Sequence, residues 1–493
     1  MDDNAAAGVA PLIQRAQYDL ATGRAAEAVV RIRQAIGQQP RHAPPLLSLY
    51  RQALWQAVAQ AVDRCDWTHY DLAARWVHEA IEDDPAFWMT GETCLTLDTL
   101  TRHDLRTLQE RFCACFPRPD GSFAHRPPQE RIRIGIIGCD FHAQATAYLF
   151  TGVAERMDRR RVDLLAFDYG QEIPGEWRTR CVAAYDEFIS IADMDDRAAA
   201  ELIHARGIDV LIHMRDVAKG RLGICAWRPA AIQIQYLYFP GTSGAAFMDY
   251  LVADDVVVPP ELEDGYAERI LRMRGCYQPN DSARERPAPI TRNEFGVAGD
   301  WVLLANFNQS YKITPAIFAL WCQLLRRDDR RRLWLLDGGA ENCARLQQEA
   351  ALHGIDPTRL IFAPRSSIAV HLARLACSDL VVDTYPYGGH TLTSDSLWAG
   401  TPVISLRGET FASRVAASLL TVSGLHDFIV DDPREYLSVA DTMLNDRDRL
   451  QRWRRHLDET RAANSLFDPD DYAERFLDII EQAVRTRWPE CGT

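Results

Sequence analysis

No stretch of this 493-residue chain stays apolar over the length that a membrane-spanning helix needs. The N-terminus, "MDDNAAAGVAPLIQ", has no basic segment leading into an apolar core, so no secretion signal is read there. Positive charge is short: 55 Lys and Arg stand against 69 Asp and Glu, a net charge of −14. Phosphate backbones and anionic membranes favour basic faces, so this balance argues against both as partners. The basic runs "DRRRVD" (158–163) and "RRDDRRR" (326–332) precede strand-like segments and read as solvated turns. Clustered cysteines are missing too. Of 12, only Cys113 and Cys115 are close together, with no Cys/His pair nearby to complete a zinc site. Scattered single cysteines without a secretion signal point to a reducing, cytoplasmic setting.

What is present is an ordinary globular balance, 47% hydrophobic and 25% charged, over a length sufficient for about three domains. Residues 1–118 read as a helical domain. Gly23, Ala28, Ile32, Ala35 and Pro40 fall at tetratricopeptide spacing, and Tyr70, Ala73, Val77, Ala80 and Pro85 repeat it. With about two recognisable units, a helical cap over the next domain is favoured over a peptide-binding solenoid. After the Pro-rich break at 117–130, apolar strand-like runs alternate with helices. "RIRIGIIG" (131–138), "VDLLAFD" (162–168), "IDVLIHM" (208–214), "AIQIQYLY" (231–238) and "YLVAD" (250–254) form a first series. "WVLLANF" (301–307), "RRLWLLD" (331–337), "RLIFAP" (359–364), "DLVVD" (379–383), "TPVISL" (401–406) and "DFIVDD" (427–432) form a second. Continuous apolar strands separated by helices belong to parallel sheets covered on both faces. The fold class is therefore α/β. Two Rossmann-like halves, 131–285 and 298–465, face a cleft, and a closing helix (466–493) packs back on the first half.

Ligands in such sheets sit at the C-terminal strand ends, so the loops there hold the candidates. "DTYPYGGHTLTSDSLWAGTPVI" (383–404) crosses from strand to helix through Gly388 and Gly389, then His390 and Thr391. The first amides of a helix are free donors at the positive end of its dipole. A phosphate cradle and an ordinary tight loop fit this stretch equally. "NFNQSYKITP" (306–315) offers Gln309 and Lys312, the lysine as a point charge for a phosphate. His371 and Arg374 share one helical face, where a ring and a guanidinium suit a nucleobase. Asp395 is a candidate acceptor for ribose hydroxyls.

Together these segments, with "GETFASRVAAS" (408–418), "RPAAIQIQYLYFPGTSGAAFMDYLVAD" (228–254) and "YAERILRM" (266–273), resemble the O-GlcNAc transferases, protein Ser/Thr N-acetylglucosaminyltransferases. The resemblance runs from about 131 to 486, and tetratricopeptide helices ahead of a catalytic region also fit that family. It implies a GT-B fold and inverting, metal-independent transfer of GlcNAc or glucose from a UDP-sugar to a protein or peptide. Ser/Thr is the first expected acceptor and Asn the next. No cofactor or metal is expected, and no Asp-x-Asp motif follows a suitable strand. By resemblance, Gln309 and Lys312 bind the diphosphate side, and Ser366, His371 and Arg374 surround uracil. Gly389, His390 and Thr391 meet the phosphates, Asp395 the ribose, and Tyr387 borders the donor sugar. Departures from the family pattern are Gln144 for a histidine, Ile368 for a lysine and Leu392 for a threonine. These departures leave a non-catalytic sugar-nucleotide scaffold as the rival of another class, and a transferase for small molecules or glycans as a rival of the same class. The general base stays open among His142, His213 and Asp216.

Overall fold

The computed structural model describes residues 3–38, 43–117, 123–128 and 130–491. Five helices open the chain: α1 (Asp3–Ala21), α2 (Ala25–Gln38), α3 (Ala43–Asp63), α4 (Tyr70–Asp83) and α5 (Arg102–Cys113). The small residues at tetratricopeptide spacing, Ala28 and Ala35 on α2 and Ala73 and Ala80 on α4, are buried where helices approach one another. Pro40, the stop expected for the first unit, lies outside the described residues.

The first sheet contains β1 (Ile132–Gly138), β2 (Val162–Asp168), β3 (Glu187–Ser190), β4 (Val210–His213), β5 (Ile232–Gln235), β6 (Tyr250–Asp254) and β7 (Arg269–Met273). All pairings are parallel, in the order β3-β2-β1-β4-β5-β6-β7. The second sheet contains β8 (Val302–Asn306), β9 (Arg331–Leu336), β10 (Leu360–Ala363), β11 (Leu380–Val382), β12 (Val403–Leu406) and β13 (Ile429–Val430). It is parallel throughout, in the order β10-β9-β8-β11-β12-β13. Two strands escape the apolar pattern of the sequence, β3 and β7. Both are edge strands with solvent-facing positions, so neither carries a continuous apolar run.

Strand order reverses between β1 and β4 in one sheet and between β8 and β11 in the other. These reversals open a crevice at the carboxyl ends of the strands. Two Rossmann-like sheets with helical covers, preceded by a helical segment, make the GT-B arrangement. The C-terminal helix Pro469–Arg487 returns to the first sheet. There Tyr472 Oη lies 2.6 Å from Tyr236 Oη, and Arg161 pairs with Glu481 at 2.7 Å.

Candidate active site

Two loops that leave adjacent strands build the centre of the cleft. The loop after β8 is tied to the loop after β11 by side chains spaced along both. Asn306 Nδ2 donates to the Val382 carbonyl at 2.6 Å, Asn308 Nδ2 to Thr384 Oγ1 at 3.1 Å, and Thr314 Oγ1 to the Tyr385 carbonyl at 2.9 Å. Lys312 completes the stitch, donating to the Gly388 carbonyl at 3.1 Å. Its Nζ also lies 3.6 Å from the centre of the Tyr387 ring, a close cation–π contact. The side chain is buried, and desolvation pulls its pKa down to about 8, against the attraction of Glu92 and Asp383. The chain holds only two lysines, Lys219 and Lys312, among 55 basic residues. Arginine supplies nearly all its positive charge, yet both lysines line the cleft.

Asp383 ends the apolar run of β11 and is wholly buried. Its carboxylate accepts from the Gly389 amide at 2.6 Å, the Thr384 amide at 2.9 Å and Ser405 Oγ at 2.7 Å. Burial outweighs these bonds and pushes its pKa up to about 6. The glycine pair is thereby explained. A Cβ at Gly388 would come within 3.0 Å of Asp383 Oδ2, and one at Gly389 within 3.0 Å of Asp383 Oδ1 and Thr393 Oγ1. What approaches this backbone is the chain's own aspartate. The expectation that Gly389 meets a phosphate is corrected accordingly, because its amide is already taken. The next residues remain open to the cleft. His390 makes no side-chain cap on the helix Thr391–Trp398, and His390, Thr391 and Leu392 all line the cavity. The His390 ring stays neutral: burial and Lys312 hold its pKa well below the usual histidine range, and Nε2 lies 3.2 Å from the Ala412 carbonyl.

Gln309, Lys312, His371, Tyr387, His390, Thr391 and Asp395 all line one cavity of about 470 Å³. Asp395 is buried between the Arg284 guanidinium, with which it pairs, and His371 Nε2 at 3.4 Å. Burial and the neighbouring Arg374 and Arg284 push His371 down to about 4, so it contacts Asp395 as a neutral ring. Arg374 and Ser366 are not part of this lining. Arg374 is turned inward, donating to the Pro364 carbonyl at 2.6 Å, and so braces the loop after β10. One guanidinium nitrogen is thus engaged by the loop, and the expected contact of Arg374 with a base stays a proposal. Ser366 sits exposed on that same loop. The first half contributes Gln144, Leu237, Tyr238 and Gln278 to the opposite wall.

A second cavity of about 740 Å³ lies between the helical segment and the loop after β4. Trp55, Trp88 and Phe112 give it apolar surface, and Arg51, Asp216 and Lys219 give it charge. Asp216 is the one sequence candidate for the base found there, and its Oδ1 already accepts the amides of Ala218 and Lys219 at 2.8 and 2.9 Å. His213 is corrected: its ring is fully buried, with Nδ1 3.0 Å from Gln235 Oε1 and Nε2 2.7 Å from the Gly220 carbonyl. No ring nitrogen is left for a substrate. His142 lines neither cavity. Sequence reasoning missed Glu92, Tyr238 and Tyr311, which line both cavities. Among the described residues, no three His, Cys, Asp or Glu side chains are grouped to hold a metal ion.

The family model described as glycosyl transferase family 41 matches residues 121–285 and 278–476. The chain belongs to glycosyl transferase family 41. Among the relatives it matches is a probable UDP-N-acetylglucosamine--peptide N-acetylglucosaminyltransferase SEC of Arabidopsis thaliana. It is 33% identical over 367 residues, which cover 73% of this chain and 37% of that protein. The UDP-N-acetylglucosamine--peptide N-acetylglucosaminyltransferase of Caenorhabditis elegans is 23% identical over 549 residues, covering 85% and 48%. The chain thus spans less than half the length of either relative. A mutant O-GlcNAc transferase of Thermobaculum terrenum shares the fold over 99% of both chains, at 23% identity and a TM-score of 0.75.

Proposed function

We propose that this chain is an inverting, metal-independent glycosyltransferase that moves GlcNAc or glucose from a UDP-sugar to a protein side chain, Ser/Thr first. The observation that carries this reading is Lys312, a buried cation stacked under Tyr387 at the open start of the helix Thr391–Trp398. In the proposed complex the uracil lies by His371 and the exposed loop at Ser366, and the ribose hydroxyls donate to Asp395. The diphosphate meets Lys312 and the first-turn amides at Thr391. An acceptor hydroxyl attacks the anomeric carbon from the side opposite the diphosphate. The bond from that carbon to the β-phosphate oxygen breaks, and its electron pair leaves with UDP. Charge grows on the β-phosphate as it does so, and Lys312 and the amides are fixed in advance where it grows.

The 740 Å³ cavity adjoins the donor cavity and has the size and mixed lining for a peptide segment. It is the proposed route for the acceptor. No helix of the described residues is long and apolar enough to cross a membrane. The cysteines from Cys65 to Cys377 are free. The free cysteines are in keeping with a cytoplasmic site of action.

The test is to incubate the purified chain with UDP-GlcNAc or UDP-glucose and protein acceptors, then read added N-acetylhexosamine or hexose by mass spectrometry. Transfer of either sugar supports the reading. UDP binding without transfer to any acceptor favours a scaffold instead. Donor choice has its own test at Tyr387, whose ring lines the donor cavity. Tyr387→Ala opens space for an N-acetyl group and shifts a direct competition toward UDP-GlcNAc. An unchanged ratio removes Tyr387 as the selector.

A further inference from the structure

The reading above leaves open what removes the proton from the acceptor hydroxyl. Three residues line both the donor cavity and the acceptor cavity: Glu92, Tyr238 and Tyr311. Only Glu92 is a carboxylate. It comes from the loop between α4 and α5, so the helical segment places it in the cleft. Tyr311 Oη donates to Glu92 Oε2 at 2.8 Å and so fixes the carboxylate's direction. Burial drives the phenols of Tyr238 and Tyr311 above their ordinary range, so both stay protonated at neutral pH. Glu92 also lies close enough to Lys312 to favour the lysine's charged form. The alternatives are set further from the reaction. His213 is enclosed in the first sheet, His142 lines neither cavity, and Asp216 and Asp63 line the outer cavity alone.

We propose that Glu92 is the general base of the transfer, supplied to the two Rossmann-like halves by the helical segment. Its carboxylate takes the hydroxyl proton as the oxygen bonds to the anomeric carbon. The electron pair of the broken bond goes to the β-phosphate oxygen beside Lys312. The proton then passes from Glu92 to water once UDP has left.

This assignment rests on the proposed glycosyl transfer, and the experiment separates the two. Wild type, Glu92→Gln, Glu92→Ala and Tyr311→Phe are assayed with radiolabelled UDP-GlcNAc and UDP-glucose on a library of Ser- and Thr-containing peptides. UDP affinity is measured by calorimetry in parallel. The amide of Glu92→Gln still accepts from Tyr311, so the local structure is kept. The expected result is a fall in kcat of about 10²- to 10⁴-fold in Glu92→Gln, with UDP affinity within tenfold of wild type. Added formate restores part of the activity of Glu92→Ala, and Tyr311→Phe loses less than tenfold. A Glu92→Gln kcat within threefold of wild type overturns the assignment. So does an Ala variant that formate does not rescue, or a Gln variant whose UDP affinity collapses. A wild-type chain that binds UDP but transfers to nothing overturns the base and spares the donor site. A chain that binds no UDP overturns both.

Discussion

At the scale of the residue, Lys312 shows how this site trades stability for chemistry. Water solvates an ammonium better than the cleft does, which is why its pKa falls to about 8. The unfolded chain therefore binds more protons between about 8 and the ordinary lysine value of 10.5, and stability rises with pH across that window. Below it, the cost of the buried charge is fully present, about 3 kcal/mol for a shift of this size. Lys312→Met is therefore expected to unfold at or above the wild-type temperature at pH 7, with stability up by about 1–3 kcal/mol. Its transfer rate is expected to fall by at least about 10²-fold, the usual loss when one donor to a developing oxyanion is removed. Calorimetric melting beside a transfer assay checks both. A destabilised but active variant contradicts the account.

At the scale of the element, the strand–loop–helix at 380–398 is the unit that matters. Its glycines, its helix start and its lysine partner were all legible in the sequence. The occupant of the glycine space was not, because Asp383 reads as an ordinary strand-end carboxylate until the fold buries it against the Gly389 amide. Gly389→Ala forces a methyl group to within 3.0 Å of Asp383 Oδ1 and Thr393 Oγ1 and 3.3 Å of Asn308 Nδ2. The expected cost is about 1–3 kcal/mol, with weakened UDP binding because the loop carrying Tyr387 and His390 must move. Thermal melting and UDP titration check it, and an alanine variant with unaltered melting and affinity would falsify the packing role. The strands themselves were legible where both faces are covered, and illegible at the edges β3 and β7, where most side chains are only partly buried or exposed. The inward bond of Arg374 was illegible for a related reason. Helical spacing says which residues share a face, not whether a guanidinium turns back to the Pro364 carbonyl.

At the scale of the whole molecule, the helical segment is part of the cleft and not an appendage. A carboxylate at position 92 and a phenol at 311 are far apart in sequence, so no local motif links them. Gly244, at φ +67°, shows how tightly the segment is seated. A Cβ there would lie 2.4 Å from the backbone of Gln109 and Glu110 on α5. Gly244→Ala meets both a left-handed backbone and a rigid helix, and is expected to cost about 2 kcal/mol or more. Thermal unfolding should show it, and limited proteolysis should cut the connection after α5 sooner than in wild type. Equal melting and equal proteolysis contradict that tight seating.

The proposed function stands or falls on a lysine that, without a metal, holds the diphosphate at the start of the helix Thr391–Trp398. The most direct measurement is calorimetric titration of UDP into wild type and Lys312→Met, each in excess EDTA, at pH 7. Wild type is expected to bind UDP undiminished by the chelator, and the methionine variant to bind at least tenfold more weakly. Wild-type binding that disappears with EDTA, or a methionine variant that binds as well as wild type, would contradict it.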